Sequence, residues 1–186
     1  MRGNGAAMEI TPEKPDDQAD IERLLDLAFG SERAGKTVYR LREGVAPIPE
    51  LCTVIREGGV LKGSLRYWPV VIGETRTPAL LLGPVAVLPE DRGKGYARSL
   101  IWDSLEVARR LGYGIVLLVG DEPYYVKFGF TRAFTRALEL PGWVDLNRFL
   151  GLELTPRALA GVSGMLHKPH PDEARPACLR RSDAAA

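Results

Sequence analysis

Apolar and polar residues follow one another along the first half of the chain in patterns that predict strands and helices. The apolar run from Met8 to Thr11 predicts a short strand. The stretch "PDDQADIERLLDLAFG" has apolar residues at helical spacing and predicts a helix that buries one stripe of its surface. A second, weaker helix is expected in "ERAGKTVYRLREG". Three antiparallel strands are expected between Leu51 and Pro89, with turns at Gly58-Gly59 and near Gly73.

The second half begins with a longer amphipathic helix. Its apolar residues run at helical spacing from Ala97 to Leu111, and Gly112 is expected to end it. The unbroken apolar run "GIVLLVG" predicts a parallel strand with both faces buried. "PYYVKFGF" predicts a short helix and a turn. The last strands are expected at Leu138 to Leu140 and in part of the stretch from Thr131, and past Pro141 the pattern blurs.

This order of elements, β-α-α-β-β-β-α-β-α-β, predicts an α+β layered domain in which a mixed sheet has helices on both faces. The 186 residues are enough for one domain with a good core. The domain is expected at residues 8–166, after a flexible leader at residues 1–7. Residues 167–186 are rich in proline, charge and alanine, and a mobile C-terminal tail is expected there.

Composition narrows the classes of partner. The chain is 45% hydrophobic and 26% charged, which is ordinary for a soluble globular protein. A net charge of +1 gives no reason to expect nucleic acid or a membrane surface as a partner, and no apolar run approaches the ~20 residues of a membrane span. Cys52 and Cys178 are too few for a disulfide framework, so the cytoplasm is the default location. His167 and His170 lack a cysteine partner at zinc-site spacing, and no metal is expected.

The stretch "VLPEDRGKGYARSL", from Val87 to Leu100, joins a strand to the long helix through two glycines and several charged residues. The first N–H groups of a helix have no partner inside it, and together with the helix dipole they favour an anion. Glycine lets a phosphate approach the backbone, because no Cβ stands in the way. The alternative is a tight strand-to-helix turn whose basic side chains simply lie in water.

Three phosphate-binding motifs compete for this turn. A P-loop needs Ser or Thr at the position of Gly95. The dinucleotide fingerprint needs glycine at the position of Arg98 and a later acid, where the chain reads "GIVLLV". The third pattern, Arg/Gln-x-x-Gly-x-Gly/Ala, is matched at every fixed position from Arg92 to Ala97. That pattern is the acetyl-coenzyme A signature of the GNAT superfamily of N-acetyltransferases, and the sequence from Ala79 to Phe130 resembles the YhbS-like branch of that superfamily.

The resemblance implies a fold and a cosubstrate. The fold is the acetyltransferase fold, whose mixed, mostly antiparallel central sheet splays between its two central strands. The cosubstrate is acetyl-CoA. Gly83 and Pro84 agree with a splayed strand, because proline cannot complete a ladder and the adjacent glycine favours a bulge. A simple kink at the sheet edge is the alternative.

The resemblance also implies which residues bind the cosubstrate. In the family the pantetheine arm lies in the gap between the splayed strands, which here puts it against the backbone of Val85 and Val87. The pyrophosphate would be held by N–H groups from Gly93 to Ser99, while Glu90 and Asp91 flank the helix start and face away from the ligand. The implied cofactor-binding residues are Val85, Val87, Arg92, Gly93, Lys94, Gly95, Tyr96, Ala97, Arg98 and Ser99.

The family's general acid corresponds to Tyr125, four residues before Gly129. A tyrosine with a pKa of roughly 10 is a workable proton donor for a thiolate whose thiol has a pKa of roughly 8.5. Tyr124 is the neighbour most easily confused with it, and a tyrosine packed under the sheet is the structural alternative. The strand before the signature has no ionisable side chain, so ordered water is the expected base, with Glu74 as a remote candidate.

These inferences predict an acetyl-CoA-dependent N-acetyltransferase that transfers the acetyl group directly to a primary amine. The acceptor is either a small molecule or a peptide, and a strongly acidic pocket would indicate polyamines or aminoglycosides. A homodimer is left open. The alternative function is a CoA-binding regulatory domain without catalytic activity.

Two groups of residues are candidates for the acceptor site. Trp68, Phe134 and Trp143 either line an acceptor pocket or fill the core, as large aromatic side chains usually do. Three residues of the second predicted helix lie in the segment that shapes the acceptor entrance in related enzymes, although a solvated helix face is the favoured interpretation. They are Tyr39, Arg40 and Arg42.

Overall fold

The computed structural model describes residues 7–35 and 37–173 of the chain. The strands are β1 (Met8–Pro12), β2 (Thr53–Glu57), β3 (Val60–Ile72), β4 (Thr77–Val87), β5 (Ile115–Val119), β6 (Leu138–Glu139), β7 (Phe149–Glu153) and β8 (Gly164–His167). The helices are α1 (Gln18–Phe29), α2 (Thr37–Arg42), α3 (Tyr96–Arg110) and α4 (Glu122–Tyr125). Short 3-10 turns connect several of these elements.

One sheet organises the described residues. Its main path runs β1-β2-β3-β4-β5-β7, and β8 pairs with β3 and with β6. Neighbours along the main path are antiparallel except for the parallel pair β4 and β5. The predicted mixed, mostly antiparallel sheet is therefore confirmed. Within the described residues, no helix has the length and the apolar character that crossing a membrane requires.

The two central strands separate after a short stretch of pairing. Leu80 pairs with Val116 and Leu81 with Leu117, and beyond these pairs β4 continues along β3 alone. The β3–β4 ladder shifts its register in the same region, because one β3 residue, Arg66, lies opposite two residues of β4, Gly83 and Pro84. The extra backbone contains Gly83 and Pro84, so the predicted bulge and the predicted splay are both confirmed.

Helices cover both faces of the sheet. In β4 the side chains of Leu80 and Leu82 belong to the same core as α3, while those of Ala79 and Leu81 belong to the core on the opposite face. Strand β5 alternates in the same way. The unbroken apolar runs of the sequence therefore still obey the two-residue period of a strand, since each face meets a different core. Helix α1 packs on the face opposite α3, against β2 and β4.

The predicted strand at Leu138 is confirmed in a shorter form, but the prediction that the last strands lie there and near Thr131 was wrong. β6 comprises Leu138 and Glu139, and Thr131 forms an isolated bridge with Gly151. The strand beside β5 is β7, which follows Pro141 and was not predicted. Its pattern is difficult to read because Gly151 interrupts it, and the side chains of Phe134 and Thr135 pack where a Cβ of that glycine would lie.

The described part of the expected tail is attached to the domain. His167 lies in β8 opposite Val71, so the expected boundary at residue 166 falls inside a strand. The guanidinium of Arg76 donates two hydrogen bonds to the carboxylate of Glu173, with Nε and Nη2 at 2.7 and 2.6 Å from its oxygens. Residues 1–6 of the expected leader and residues 174–186 of the expected tail lie outside the described residues.

Candidate functional site

The turn between β4 and α3 is shaped by two glycines. Gly93 has φ 85° and Gly95 has φ 92°, both in the left-handed region that favours glycine. Gly95 is the N-cap of α3, so no side chain caps the first turn of this helix. A Cβ on Gly93 would meet no atom within 4 Å, so the backbone here is open to an approaching ligand.

The first turn of α3 presents free hydrogen-bond donors. The N–H of Ser99 donates to the carbonyl of Gly95 at 3.0 Å, the first bond of the helix. The N–H groups of Tyr96, Ala97 and Arg98 have no acceptor among the described residues. These three donors and the positive end of the helix dipole are the groups with which a helix N-terminus can bind an anion. The N–H of Ser99 is used within the helix, which leaves the hydroxyl of that residue for a ligand.

Asp91 holds this turn to the sheet. Its side chain is buried and lies 2.6 Å from the amine of Lys94 and 2.9 Å from the amine of Lys62 on β3. Hydrogen bonds from Lys94 and then Lys62 lower the pKa of the carboxyl group below its usual value. Asp91 thus flanks the helix start, as expected, and its two lysine partners give it an anchoring role that was not predicted. It also partly neutralises Lys94, so the exposed Arg92 and Arg98 carry the charge without an acidic partner among the described residues.

Tyr125 is the last residue of α4, and its ring packs at the end of β5, beside the splay. A Cβ on Gly120, the residue after β5, would overlap the ring of Tyr125, so this ring rests directly on the backbone. The ring also packs edge-on against Phe130, with 5.9 Å between the ring centroids. Burial raises the pKa of Tyr125 to about 12, so the hydroxyl stays protonated at neutral pH. Burial and nearby charges account for this shift, and no hydrogen bond to a described residue contributes to it.

Tyr124 faces different surroundings. Its ring is nearly perpendicular to that of Tyr125, at 83°, and the amine of Lys127 lies 3.9 Å from its centroid. Burial raises the pKa of Tyr124 as well, and the nearby positive charge of Arg98 opposes this shift. The two tyrosines therefore differ in neighbours and in direction, as expected for consecutive residues of a helix.

A cavity of about 580 Å³ lies on the other face of the sheet, where α1 and α2 meet β3 and β4. Its lining includes Pro84 from the bulge, Trp68 from β3, and Tyr39 and Arg42 from α2. Arg42 is 8% exposed, so the favoured interpretation of a solvated helix face was wrong for this residue. Val38, one helical turn earlier, is half-buried, and this four-residue spacing was the signal that sequence reasoning could have used.

The remaining candidates lie elsewhere. Trp143 is 87% exposed, although its carbonyl accepts a hydrogen bond from the hydroxyl of Thr37, at the start of α2, at 2.7 Å. Phe134 packs against Gly151 rather than in the cavity. Glu74 lies in the turn before β4, and about six strand residues, roughly 20 Å, separate it from the bulge. Among the described residues, no group of three potential metal ligands comes together.

Comparison with known proteins decides the family. The Acetyltransferase (GNAT) domain matches residues 9–133, about two thirds of the chain. The chain belongs to the GNAT family of N-acetyltransferases. The matched residues include the bulged strand β4, the turn with Gly93 and Gly95, helix α3 and Tyr125.

Two bacterial GNAT proteins show how far the similarity extends. The uncharacterized N-acetyltransferase YhbS of Escherichia coli strain K12 is 31% identical over 159 residues, which cover 86% of this chain and 95% of YhbS. The crystal structure of E. coli YhbS in complex with CoA matches with a TM-score of 0.75 and 29% identity, over 91% of this chain and 93% of that one. A GNAT acetyltransferase from Brucella melitensis, in complex with acetyl-CoA, matches with a TM-score of 0.62 and 27% identity, over 94% and 99% of the two chains. The predicted resemblance to the YhbS-like branch is thus confirmed.

Proposed function

We propose that this GNAT protein is an acetyl-CoA-dependent N-acetyltransferase that transfers the acetyl group directly to a primary amine. The observation that carries the proposal is the continuous path formed by the splay between β4 and β5 and the uncapped N-terminus of α3. A long ligand with an anionic end and an amide-rich arm matches such a path, because the helix offers N–H groups and the separated strands leave a gap. The CoA and acetyl-CoA complexes of the two bacterial relatives support the same ligand.

The residues at the turn fit a pyrophosphate. The free N–H groups of Tyr96, Ala97 and Arg98 would donate hydrogen bonds to its oxygens, and Arg92 and Arg98 would balance its charge. Gly93 and Gly95 keep the backbone bare, while Lys94 shares its charge with Asp91. The backbone of Val85 and Val87 and the hydroxyl of Ser99 complete the proposed set. The two valines lie on β4 beyond its pairing with β5, where the main chain borders the gap.

Acetyl-CoA would supply an activated acetyl thioester, and Tyr125 would supply the proton that its thiolate needs on leaving. A hydroxyl that stays protonated up to a pKa of about 12 keeps this proton available at every physiological pH. No hydrogen bond to a described residue contributes to the pKa of Tyr125, so its hydroxyl is available to donate to a leaving thiolate. Tyr125 is therefore the proposed general acid, and Tyr124 is not.

The proton of the acceptor amine would leave through water. The acids that line the cavity next to the bulge are engaged, because Glu22 and Asp26 both pair with Arg33. Glu43, the third acid of the lining, is 83% exposed. β4 itself has no ionisable side chain. These observations favour ordered water over a carboxylate base.

Transfer without a covalent enzyme intermediate is supported by the state of Cys52. Its thiol is buried and lies 3.1 Å from the carbonyl of Ile48, to which it can donate a hydrogen bond. Burial raises the pKa of this thiol to about 11, so little thiolate forms at neutral pH. Cys178 lies outside the described residues. Direct transfer from the thioester to the amine needs neither cysteine.

The test combines calorimetry of CoA and acetyl-CoA binding with a thiol-release assay over a library of primary amines. Binding together with amine-dependent thiol release is the expected result. Binding with no turnover on any amine would instead favour the second candidate, a CoA-binding regulatory domain, to which the lack of a positioned base also points. Failure to bind CoA would reject both functions.

A further inference from the structure

The guanidinium of Arg42 lies against the bulge of β4. The side chain comes from the last residue of α2, and a Cβ built on Gly83 would lie 3.3 Å from its Nη2 atom. The guanidinium carbon lies 4.8 Å from the ring centroid of Tyr39 and 5.9 Å from that of Trp68. Arg42 is thus held between two aromatic rings at the point where the cavity meets the splayed strand.

Arg42 differs from the other arginines buried in this cavity because it has no acidic partner. Arg66 is held by two hydrogen bonds, at 2.7 and 2.6 Å, to the carboxylate of Glu13. Arg33 pairs with Glu22 and Asp26. For Arg42 the described residues contain no ion pair, and its Nε is buried without a hydrogen-bond acceptor. Burial lowers the pKa of Arg42 to about 10, and a hydrogen bond with Tyr39 opposes this shift, so Arg42 stays charged at neutral pH.

A second donor in the same cavity is also unsatisfied. The indole Nε1 of Trp68 is buried and has no acceptor among the described residues. Native proteins leave few buried donors unpaired, since each one has lost its hydrogen bonds to water. Both donors belong to residues that line one cavity, and one of these residues is charged, which favours a ligand that brings acceptor oxygens and a negative charge.

We propose that the acceptor is a small amino carboxylate, such as a free amino acid, whose carboxylate is bound by Arg42 and Trp68. The proposal rests on the proposed acetyltransferase function and names its substrate class. A guanidinium fits the two oxygens of a carboxylate, and a cavity of about 580 Å³ suits a small molecule. Because Arg42 contacts the bulge, a carboxylate bound there leaves the α-amine close to the splay. Polyamines and aminoglycosides fit poorly, since the unpaired charge of the cavity is positive.

The first experiment compares each of the twenty proteinogenic amino acids with its own α-amide in the thiol-release assay. Amidation removes the negative charge and keeps the amine, and it makes the amine less basic, so chemical reactivity alone favours the amide. The expected result is a kcat/KM about 10- to 100-fold higher for the best acid than for its amide, as one charge-assisted hydrogen bond can provide. Equal or better use of the amides would overturn the proposal.

Three variants identify the groups responsible. Trp68→Phe keeps a ring and deletes the indole N–H, and Arg42→Met keeps a long apolar chain and deletes the charge. Both should raise KM for the acids much more than for the amides. Arg110→Met is the matched control, because it removes the same charge from an exposed helical position, the last of α3, that does not line the cavity, and it should leave the acid-to-amide ratio unchanged. An equal loss of kcat for acids and amides with Arg42→Met would place Arg42 on the acetyl group instead, and would overturn the proposal.

A binding measurement needs no turnover. In ¹⁵N NMR spectra of the CoA complex, the indole resonance of Trp68 is assigned by its loss in Trp68→Phe. It should shift on titration with the accepted amino acid, and neither the α-amide nor Arg42→Met should reproduce the shift. No shift with any of the twenty acids would overturn the proposal while leaving the acetyltransferase function intact. If CoA does not bind at all, the proposed function fails, and titration of the free protein still tests the carboxylate site.

Discussion

The two sides of strand β4 offer a ligand different kinds of group. On the side of α3 the donors are backbone N–H groups, which Gly93 and Gly95 leave uncovered. On the side of α2 the donors are the side chains of Arg42 and Trp68, held in a cavity. A backbone site binds the same anion whatever the neighbouring side chains are, whereas a side-chain site changes its ligand with one substitution. The first side therefore suits a constant cosubstrate and the second a variable acceptor.

The largest effect is expected from removing the hydroxyl of Tyr125, the group proposed to act between the cosubstrate site and the acceptor site. Tyr125→Phe should slow acetyl transfer by about 10²–10⁴-fold, the usual effect of a positioned general acid. Affinity for CoA and for the acceptor should stay the same, because the ring and its packing against Phe130 are kept. Single-turnover thiol release measures the rate, and calorimetry measures the binding.

Tyr124→Phe is the control for this test. It deletes a hydroxyl from the adjacent ring, which faces Lys127 and the charge of Arg98, so the rate should change by much less. A slow Tyr124→Phe enzyme beside an unimpaired Tyr125→Phe enzyme would reverse the assignment. If both variants keep full rates, neither hydroxyl protonates the thiolate.

Gly95→Val tests the backbone N–H groups at the start of α3. A branched residue is strained at φ 92°, so the turn has to change shape and the N–H groups lose their common direction. Affinity for CoA should fall by roughly 100-fold or more, corresponding to the loss of two charge-assisted hydrogen bonds. Calorimetry measures this affinity.

Gly161→Val controls for strain alone. Gly161 has φ 75° in the loop before β8, and a Cβ there would meet no atom within 4 Å. This variant should lose stability to a similar extent and still bind CoA normally. Unchanged affinity in a folded Gly95→Val protein would refute the proposed phosphate site.

The pH profile of the reaction sharpens the comparison further. The pKa of Tyr125 is raised to about 12, so the proton donor stays protonated throughout the usual assay range. The rate should therefore rise as the acceptor amine loses its proton and should then remain level up to about pH 10. Stopped-flow thiol release between pH 6 and about pH 10 measures this profile. A decline already near pH 8, present in the wild type and absent in Tyr125→Phe, would indicate a tyrosine with an ordinary or lowered pKa.

A smaller effect is expected from Asp91→Asn. The substitution keeps the shape of the side chain but leaves Lys62 and Lys94 without their counter-charge. The melting temperature should fall, and the affinity for CoA should fall by less than in Gly95→Val. Because the pKa of Asp91 is lowered in the fold, the ion pairs stabilise it above the unfolded carboxyl pKa of about 3.9, and this contribution is lost as pH falls through the folded value. The difference in melting temperature between the two proteins should accordingly disappear in acid.

The smallest effect is expected from Glu173→Gln, which lies away from both sides of β4. Its carboxylate pairs with Arg76, and hydrogen bonds from that guanidinium lower its pKa to about 2. The pair should stabilise the fold above pH 4.3, approximately the unfolded pKa, and lose this effect as pH falls towards 2. CoA affinity and the acid-to-amide ratio should not change. A change in either would mean that the C-terminal turn contributes to a ligand site.

The bulge of β4 and the turn before α3 could be predicted from the sequence because the residues that shape them are neighbours in the chain. Gly83 and Pro84 lie next to each other and mark the bulge, and the residues from Arg92 to Ala97 are consecutive. Conformation at these positions depends mainly on missing side chains and a missing N–H, which a sequence displays directly.

The cavity with Arg42 and Trp68 could not be predicted in this way. Arg42 and Trp68 are 26 positions apart in the chain, and their shared cavity exists only after α2 has packed on the sheet. A single arginine on a short helix is most often solvated, which is why that interpretation was favoured. The inward role of Asp91 was missed for the same reason, since its partner Lys62 comes from another strand.

Gly120 limits how this enzyme can evolve. Its φ is not in the left-handed region, so this glycine is required for space rather than for conformation. Even a methyl group there would lift the ring of Tyr125 off the end of β5, and a displacement of about 1 Å can cost on the order of 100-fold in rate. As long as Tyr125 carries the proton, the position beneath it is closed to the other nineteen amino acids. New acceptor specificities must therefore arise across the sheet, among the side chains that surround Arg42.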